Sequence, residues 1–264
     1  MKRLLKISIS IIYFLAIQTS HLLLKLCGKD TTGSCIVLLY HSIPEDEKEA
    51  FDNQMGYLTR KTIPIKMGDN DKIKKGGRYS IVTLDDAFIS AIENGIPILI
   101  KRKVPFTIFI PAGYVGKKPG WRFEPDEKEQ FEKVATIEEL RNVPKEYVVW
   151  GSHTISHPRL SMLDNKSMYL EIYKSKEMLE SYFNVPIKYI AFSYGDYNKS
   201  TLDLCKKAGY EQVFTSNIES PYRPMNKFEI GRIEIRNSDW PIEYKLKILG
   251  AYSWISSKYM KQIH

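Results

Sequence analysis

Short apolar runs rich in β-branched and aromatic residues recur at 35–40, 80–84, 106–110, 147–150, 189–192, 212–215 and 228–235, with helix-like stretches between most of them. The runs are continuous rather than alternating. A strand of that kind is buried on both faces, which requires a parallel sheet covered by helices. The intervening stretches carry helix signals. Residues 51–61 are amphipathic. Asp164 stands where it caps a helix through Phe183, and Asn198 or Ser200 caps another that ends at Gly209, a residue suited to a left-handed C-cap. Pro97 and Pro105 punctuate the helix leading into 106–110. Strand–helix alternation over 264 residues, 43% of them apolar, predicts one α/β domain with a full core, starting near Gly33. About seven parallel strands point to a distorted (β/α) barrel rather than a regular eightfold one. The strand C-termini then carry the functional groups.

Polar residues follow directly after four of the runs: His41, Asp85-Asp86, His153 and Tyr194. Four strands thus deliver polar groups to one rim. Adjacent residues of a strand face opposite ways, so Asp85 and Asp86 reach one cleft only where the strand ends and the chain turns. A plainer reading makes Asp86 the cap of a helix that begins at Ala87. That reading leaves His153 and His157 unexplained. On a helical turn, a spacing of four brings both rings to one side. Gly151-Ser152 before them permits a tight turn. One carboxylate and two imidazoles hold a divalent ion and leave positions open for water and substrate, while the second carboxylate is free to act as a base. Residues 113–134 and 216–227 lack regular pattern and hold Pro, Gly, aromatics and charges. On a barrel rim they are expected to be substrate-facing loops.

These motifs resemble those of the polysaccharide deacetylases, the NodB-like carbohydrate esterases of family 4. Thr83-Leu84-Asp85-Asp86-Ala87 resembles the family's T-F-D-D-G, and His153-Thr154-Ile155-Ser156-His157 matches its H-[ST]-x-x-H. Leu39-Tyr40-His41-Ser42-Ile43 looks like the Y-H-x-I strand that opens many members. Phe192-Ser193-Tyr194-Gly195-Asp196-Tyr197-Asn198 looks like Y-P-Y-G-x-Y-N. The resemblance covers about 37–235. It implies a NodB-type barrel and metal-dependent hydrolysis of N-acetyl, or sometimes O-acetyl, groups on a cell-surface or envelope polysaccharide. By motif, Asp85 is the general base, and Asp86, His153 and His157 bind the metal. That metal is zinc in most members, with cobalt or nickel as alternatives. The Tyr194 N–H is a candidate donor to the substrate oxyanion.

The chain departs from the family pattern at several positions. Leu84 replaces Phe, Ala87 replaces Gly and Ser193 replaces Pro. Ala191 stands where many members have the arginine that orients the base. No L-x-H segment near the C-terminus supplies the usual acid. His41 is therefore the expected acid, and Arg232 the expected partner of Asp85. Their plain alternatives are a buried, hydrogen-bonded histidine and an arginine paired to a surface acid. The same departures keep open a non-catalytic glycan-binding relative that retains the metal site. Of Trp121, Trp150, Trp240 and Trp254, Trp121 is the sugar-facing candidate, since it shares the 113–134 loop with Tyr114. Asp239-Trp240 superficially resembles a family D-W motif, but its place after the last strand argues against equivalence.

The N-terminus has a different character. Lys2, Arg3 and Lys6 flank and precede an apolar run at 7–17, a polar gap follows at 18–21, and then Leu22-Leu23-Leu24. A basic start before an apolar run resembles a signal peptide, yet no A-x-A cleavage site follows, and Lys25 spoils the lipoprotein pattern before Cys27. The run is short for a membrane span. Residues 1–28 thus read as a signal or membrane anchor, or as a helix in the membrane interface, with a plain helix packed on the domain as the alternative. Residues 33–264 form the catalytic domain. The expected location is membrane-associated or exported. The net charge of +8 suits an anionic polysaccharide, lipid or nucleic acid, but no arginine-rich run or nucleic-acid motif is present. The expected partners are an acetylated amino-sugar polysaccharide and a membrane surface, not nucleic acid. Cys27, Cys35 and Cys205 are odd in number and lack CxxC spacing, so neither a disulfide framework nor a cysteine–zinc site is expected.

Overall fold

All seven apolar runs become strands of one parallel sheet. A computed structural model describes residues 2–27, 33–123, 128–236 and 239–255. Its strands are β1 (Ser34–Tyr40), β2 (Ile63–Pro64), β3 (Arg78–Asp85), β4 (Phe106–Ile110), β5 (Val148–Ser152), β6 (Tyr189–Ala191), β7 (Gln212–Thr215), β8 (Glu229–Gly231) and β9 (Ile233–Glu234). They are hydrogen-bonded in the order β8-β7-β6-β5-β4-β3-β1-β9, with β2 added beside β3. Two details differ from expectation. Ile63–Pro64 is too short to leave a periodic signal. The 228–235 run is not one strand but two, divided at Arg232. Its first half pairs with β7 and its second with β1. One continuous segment thus bridges the two ends of the sheet and nearly closes it into a barrel.

The helices are α1 (Lys2–Leu26), α2 (Lys48–Lys61), α3 (Ile96–Lys101), α4 (Ile137–Arg141), α5 (Asn165–Tyr169), α6 (Ser175–Phe183), α7 (Lys199–Lys207) and α8 (Pro241–Ile248). The caps read from sequence are present. Asp164 accepts from the N–H groups of Lys166 and Ser167 at 2.8 and 2.9 Å, and a π-helical turn at Leu170–Lys174 joins α5 to α6. Asn198 caps α7 in a reciprocal box with Thr201, and Gly209 ends that element at φ +74°.

Alternation along the strands sorts the core into two sets. Leu38, Tyr40, Val82, Leu84, Ile108 and Ile110 pack outward against Phe51, Met55, Leu58, Leu99 and Leu179 of the helices. Val37, Ile81, Phe109, Ala191, Phe214 and Ile230 fill the interior together with Ile65 and Met67. Cys35 and Cys205 are buried and all three cysteines are free. Register then levels the strand ends. Tyr40 pairs with Leu84, Asp85 with Phe109, Ile110 with Ser152, and Ser152 with Ile190. The residues that follow these positions meet at one rim. Residues 124–127 of the long 113–134 loop and 256–264 of the expected domain lie outside the described residues.

Candidate metal centre at the barrel rim

β3 ends in an abrupt reversal. Asp86 and Ala87 both take left-handed backbone conformations, φ 66° and 52°. This turn lets both acids face inward, and Asp85 and Asp86 are only 2% and 4% exposed. The reversal strains any residue but glycine, so Ala87 holds at some cost a conformation that the family's glycine would take freely. The helix-cap alternative for Asp86 fails, because helical residues begin only at Ile89, whose N–H donates to the Lys133 carbonyl instead.

The two histidines are placed differently from the helical turn that their spacing suggests. Residues 153–157 form an irregular turn in which Thr154 and His157 have φ of 66° and 59°. Side chains shape it. The Ser152 hydroxyl accepts from Thr154 N–H at 3.1 Å, and the Thr154 hydroxyl accepts from His157 N–H at 3.1 Å. From the π-helical turn, the Glu171 carboxylate accepts from the N–H groups of Ile155 and Ser156 at 2.7 and 2.9 Å. Glu171 has no sequence signal, since nothing local links it to a turn 15 residues upstream.

Asp86, His153 and His157 converge, each offering one ligand atom within 4.8 Å of the others. His157 Nε2 lies 3.4 Å, and His153 Nε2 3.7 Å, from Asp86 Oδ1. His153 Nδ1 is 2.9 Å from the Ala191 carbonyl oxygen. A carbonyl only accepts, so Nδ1 carries the proton and Nε2 presents a lone pair to the cleft. Burial lowers the pKa of His153 to about 4 and that of His157 well below the ordinary histidine value. Burial, with the nearby Asp85 and Glu129 charges, raises Asp86 to about 7 against the pull of His41 and Arg232. Neutral imidazoles facing a carboxylate are not an ion pair. Asp86 Oδ1 is buried without a hydrogen-bond partner although two imidazole nitrogens face it, and a divalent cation resolves that arrangement. The residues therefore fit a metal ion.

Asp85 faces a different partner. Arg232 Nη1 and Nη2 donate to its two oxygens at 2.7 and 2.8 Å. Arg232 is 2% exposed and also donates to Thr83 Oγ1 at 3.1 Å and to the Thr215 carbonyl at 3.3 Å. Burial would raise the Asp85 pKa, but the charge of Arg232 and its paired hydrogen bonds hold it below the usual carboxylate value. Arg232 stands between β8 and β9, so the residue at the barrel seam also grips the acid.

His41 follows Tyr40 and is level with Asp85 on the neighbouring strand. Burial depresses its pKa, but the carboxylates of Asp86, Asp85, Glu234 and Glu129 outweigh this and raise it. Next to it, the Ser42 hydroxyl donates to Glu129 Oε1 at 2.7 Å, a contact the sequence did not suggest because Glu129 sits in the irregular loop. Trp121 is at the site but is not a free platform. Its ring stacks on His157 at 4.4 Å and packs against Phe88, Tyr114 and Phe123. Tyr194 has φ 57°, is 41% exposed, and lies edge-on to His157 at 4.8 Å. The other tryptophans are elsewhere: Trp150 stacks on Phe183 in the core, Trp240 begins α8, and Trp254 donates to Ser10.

Comparison with known proteins places the chain in a family. The sequence profile of the polysaccharide deacetylase family matches residues 72–213. A poly-beta-1,6-N-acetyl-D-glucosamine N-deacetylase of Staphylococcus aureus strain MRSA252 is 30% identical over 190 residues, which is 66% of this chain and 61% of that protein. The chain therefore spans less than two thirds of the length of that relative. Among solved structures, IcaB from Ammonifex degensii superposes with a TM-score of 0.72 at 22% identity, covering 84% of this chain and 98% of its own. The Streptococcus pyogenes deacetylase PplD in complex with acetate gives 0.67 at 20% identity, covering 83% and 99%. At those identities the superpositions establish the NodB-like barrel fold. Sequence profile, fold and the rim motifs agree that this chain belongs to the polysaccharide deacetylase family.

Proposed function

We propose that the rim hydrolyses the N-acetyl amide of an acetylated amino-sugar polysaccharide, of the poly-N-acetylglucosamine class on which the named Staphylococcus relative acts. One observation carries the reading: a buried Asp86–His153–His157 triad beside an aspartate clamped by arginine. Asp86, His153 and His157 hold a divalent ion. Two neutral imidazoles and a carboxylate suit zinc, and cobalt or nickel accept the same donors. When bound, the ion supplies Lewis acidity, polarising the acetyl carbonyl and acidifying water.

The chain's own residues do the rest. Asp85 takes the proton of the attacking water. Its two oxygens are engaged by Arg232, but each keeps a second lone pair for that proton. Arg232 keeps Asp85 ionised and fixed in direction, the task of the arginine missing at Ala191. His41 gives the proton to the leaving amine, a role suited to an imidazole held protonated by surrounding carboxylates. The Tyr194 N–H donates to the oxygen that gains charge. Trp121 buttresses His157 and forms the apolar wall against which the sugar lies. Residues 33–264 are the catalytic domain, and the segment 1–28 keeps it at the cell envelope.

The non-catalytic alternative rests on the absent arginine and acid, and the Arg232–Asp85 pair supports the catalytic reading on the first of these grounds. The test is acetate release from acetylated amino-sugar oligomers by protein loaded with zinc, cobalt or nickel. Acetate release by the loaded protein is the expected result. Metal-loaded protein that binds the oligomers and releases none would establish the binding-only reading instead.

A further inference from the structure

The helix α1 inverts the usual burial pattern. Arg3, Ile7, Ser10, Phe14 and Gln18 recur at spacings of three and four, so they share one face. That face meets the barrel wall. Arg3 Nε donates to Glu243 at 2.8 Å, and its guanidinium lies 4.5 Å over the Trp240 ring. Ile7 and Ser10 are buried, and Ser10 Oγ accepts from Trp254 Nε1 at 2.9 Å. Gln18 accepts from Arg78 at 3.4 Å. These contacts orient the helix. Glu243 and Trp240 belong to the start of α8, just after the rim end of β9. Arg78 begins β3 at the opposite end. α1 therefore runs down the barrel wall with its first turn at the catalytic rim.

The outward face is apolar where a soluble helix would be charged. Leu5, Ile12 and Leu15 are 60%, 68% and 58% exposed, and Leu4 and Leu23 are exposed beside them. The stretch Arg3–Ser20 is long and apolar enough to cross a membrane, and only 11% of it is buried. Two of its exposed polar side chains turn inward on their own helix. Thr19 Oγ1 donates to the Leu15 and Ala16 carbonyls, and Ser20 Oγ to that of Ile17, as hydroxyls do where water is scarce. Trp240 and Ile242 are exposed at the rim end of the same wall, and Lys6 flanks it.

We propose that α1 lies flat in the surface of an anionic lipid bilayer while docked on α8, so that the catalytic rim opens beside the membrane. A spanning helix would have to leave the barrel and break the contacts at Arg3, Ser10 and Gln18. The bilayer matches the occupant on three counts: an outward surface that is apolar apart from Ser8, an exposed Lys6 near the helix start within a chain of net charge +8, and an exposed tryptophan at the boundary. The proposal rests on the envelope reading of the N-terminal segment and not on the deacetylase chemistry.

The test uses the full chain with vesicles of phosphatidylcholine, with and without phosphatidylglycerol. Flotation should show binding that anionic lipid strengthens. Leu5→Glu with Ile12→Glu should lower the bound fraction about tenfold or more, because two exposed apolar side chains no longer leave water. Acetate release from a soluble oligomer, measured on the same preparations, should be unchanged. An environment-sensitive probe placed in turn at Leu5→Cys, Ile12→Cys and Leu23→Cys, each in a Cys27→Ser background, should report one shallow depth for all three. A central site far deeper than the ends would establish a span and overturn the flat geometry. No vesicle binding, or a dimer that Ile12→Glu disperses without any lipid effect, would overturn the lipid as occupant. Wild-type protein that binds vesicles but releases no acetate would sink only the catalytic reading.

Discussion

The rim and the α1 wall break the same burial rule in opposite directions. At the rim, Asp85, Asp86, His153 and His157 are polar and 6% exposed or less. On the wall, Leu5, Ile12 and Leu15 are apolar and more than half exposed. Either inversion costs stability in isolation: a buried polar atom needs a partner, and exposed hydrocarbon orders water. The backbone shows where that cost is concentrated. Among the described residues, seven non-glycine residues have positive φ, and five of them, Asp86, Ala87, Thr154, His157 and Tyr194, belong to the rim. The wall is a plain helix. On the proposed readings, the rim is strained to hold a small charged ligand in one geometry, whereas the wall needs only area. The rim should therefore respond steeply to single atoms and the wall only to the sum of its surface.

The largest effect should come from removing ligands. His153→Ala with His157→Ala should abolish metal binding and activity together, measured by elemental analysis and acetate release. Stoichiometric metal in that variant would dissolve the triad. Asp85→Asn should lower kcat about 10,000-fold while metal content stays normal, because the base is lost and the ligands remain. Asp86→Asn should instead weaken metal binding, and an exchange of the two phenotypes would reverse the roles.

His41→Ala should lower kcat about 100-fold and remove one limb of the pH–rate profile, with metal unchanged. Loss of metal would make His41 a support for the ligands rather than the acid. Glu171→Gln reaches the site only through the His153–His157 turn. It should cost about 10- to 100-fold in metal affinity, read by competition with a chelating dye, and leave kcat at saturating metal close to normal.

The smallest effect is on stability against pH without metal. The folded pKa of His153 is depressed to about 4 and that of His157 is also depressed, so both hold stability that is complete above the ordinary value of 6.5 and is lost as pH falls toward their folded values. Asp86 acts in the opposite sense. Raised to about 7 from 3.8, it favours the folded state most at low pH and loses that advantage as pH rises through about 7. Thermal melts of metal-free protein should therefore show a decline from pH 6.5 to 4 about half as steep as the two histidines alone would give, and Asp86→Asn should steepen it. An unchanged slope would mean that Asp86 is already ionised without metal. Leu5→Glu with Ile12→Glu should leave all these rim measurements alone, which sharpens the contrast between the two regions.

Much of the site is legible in the sequence. Asp85-Asp86 and His153–His157 lie at the ends of continuous apolar runs, and parallel register brings such ends together without further information. The pairing of Arg232 with Asp85 followed from an absence, since Ala191 lacks the expected guanidinium and the last apolar run contains an arginine. Glu171, Glu129 and the Ala191 carbonyl were invisible for three separate reasons. Glu171 acts across a helix, Glu129 sits in an irregular loop, and a carbonyl has no residue identity to read. The helical turn suggested for the histidines was wrong because side-chain acceptors outcompeted the backbone ladder over that short stretch.

Local pattern determined the strands, their parallel sense, the helix caps and the residue types at the rim. Each of these depends on burial or hydrogen bonding within a few residues. Tertiary structure alone decided three things: that 228–235 divides at Arg232 to pair with both β7 and β1, that the histidine turn is held from α5–α6, and which face of α1 meets the barrel. All three depend on partners far away in the chain. The periodicity of α1 defines a stripe at Arg3, Ile7, Ser10 and Phe14, but whether that stripe or the more apolar opposite face turns inward is settled by Glu243, Trp240 and Trp254, more than 200 residues away.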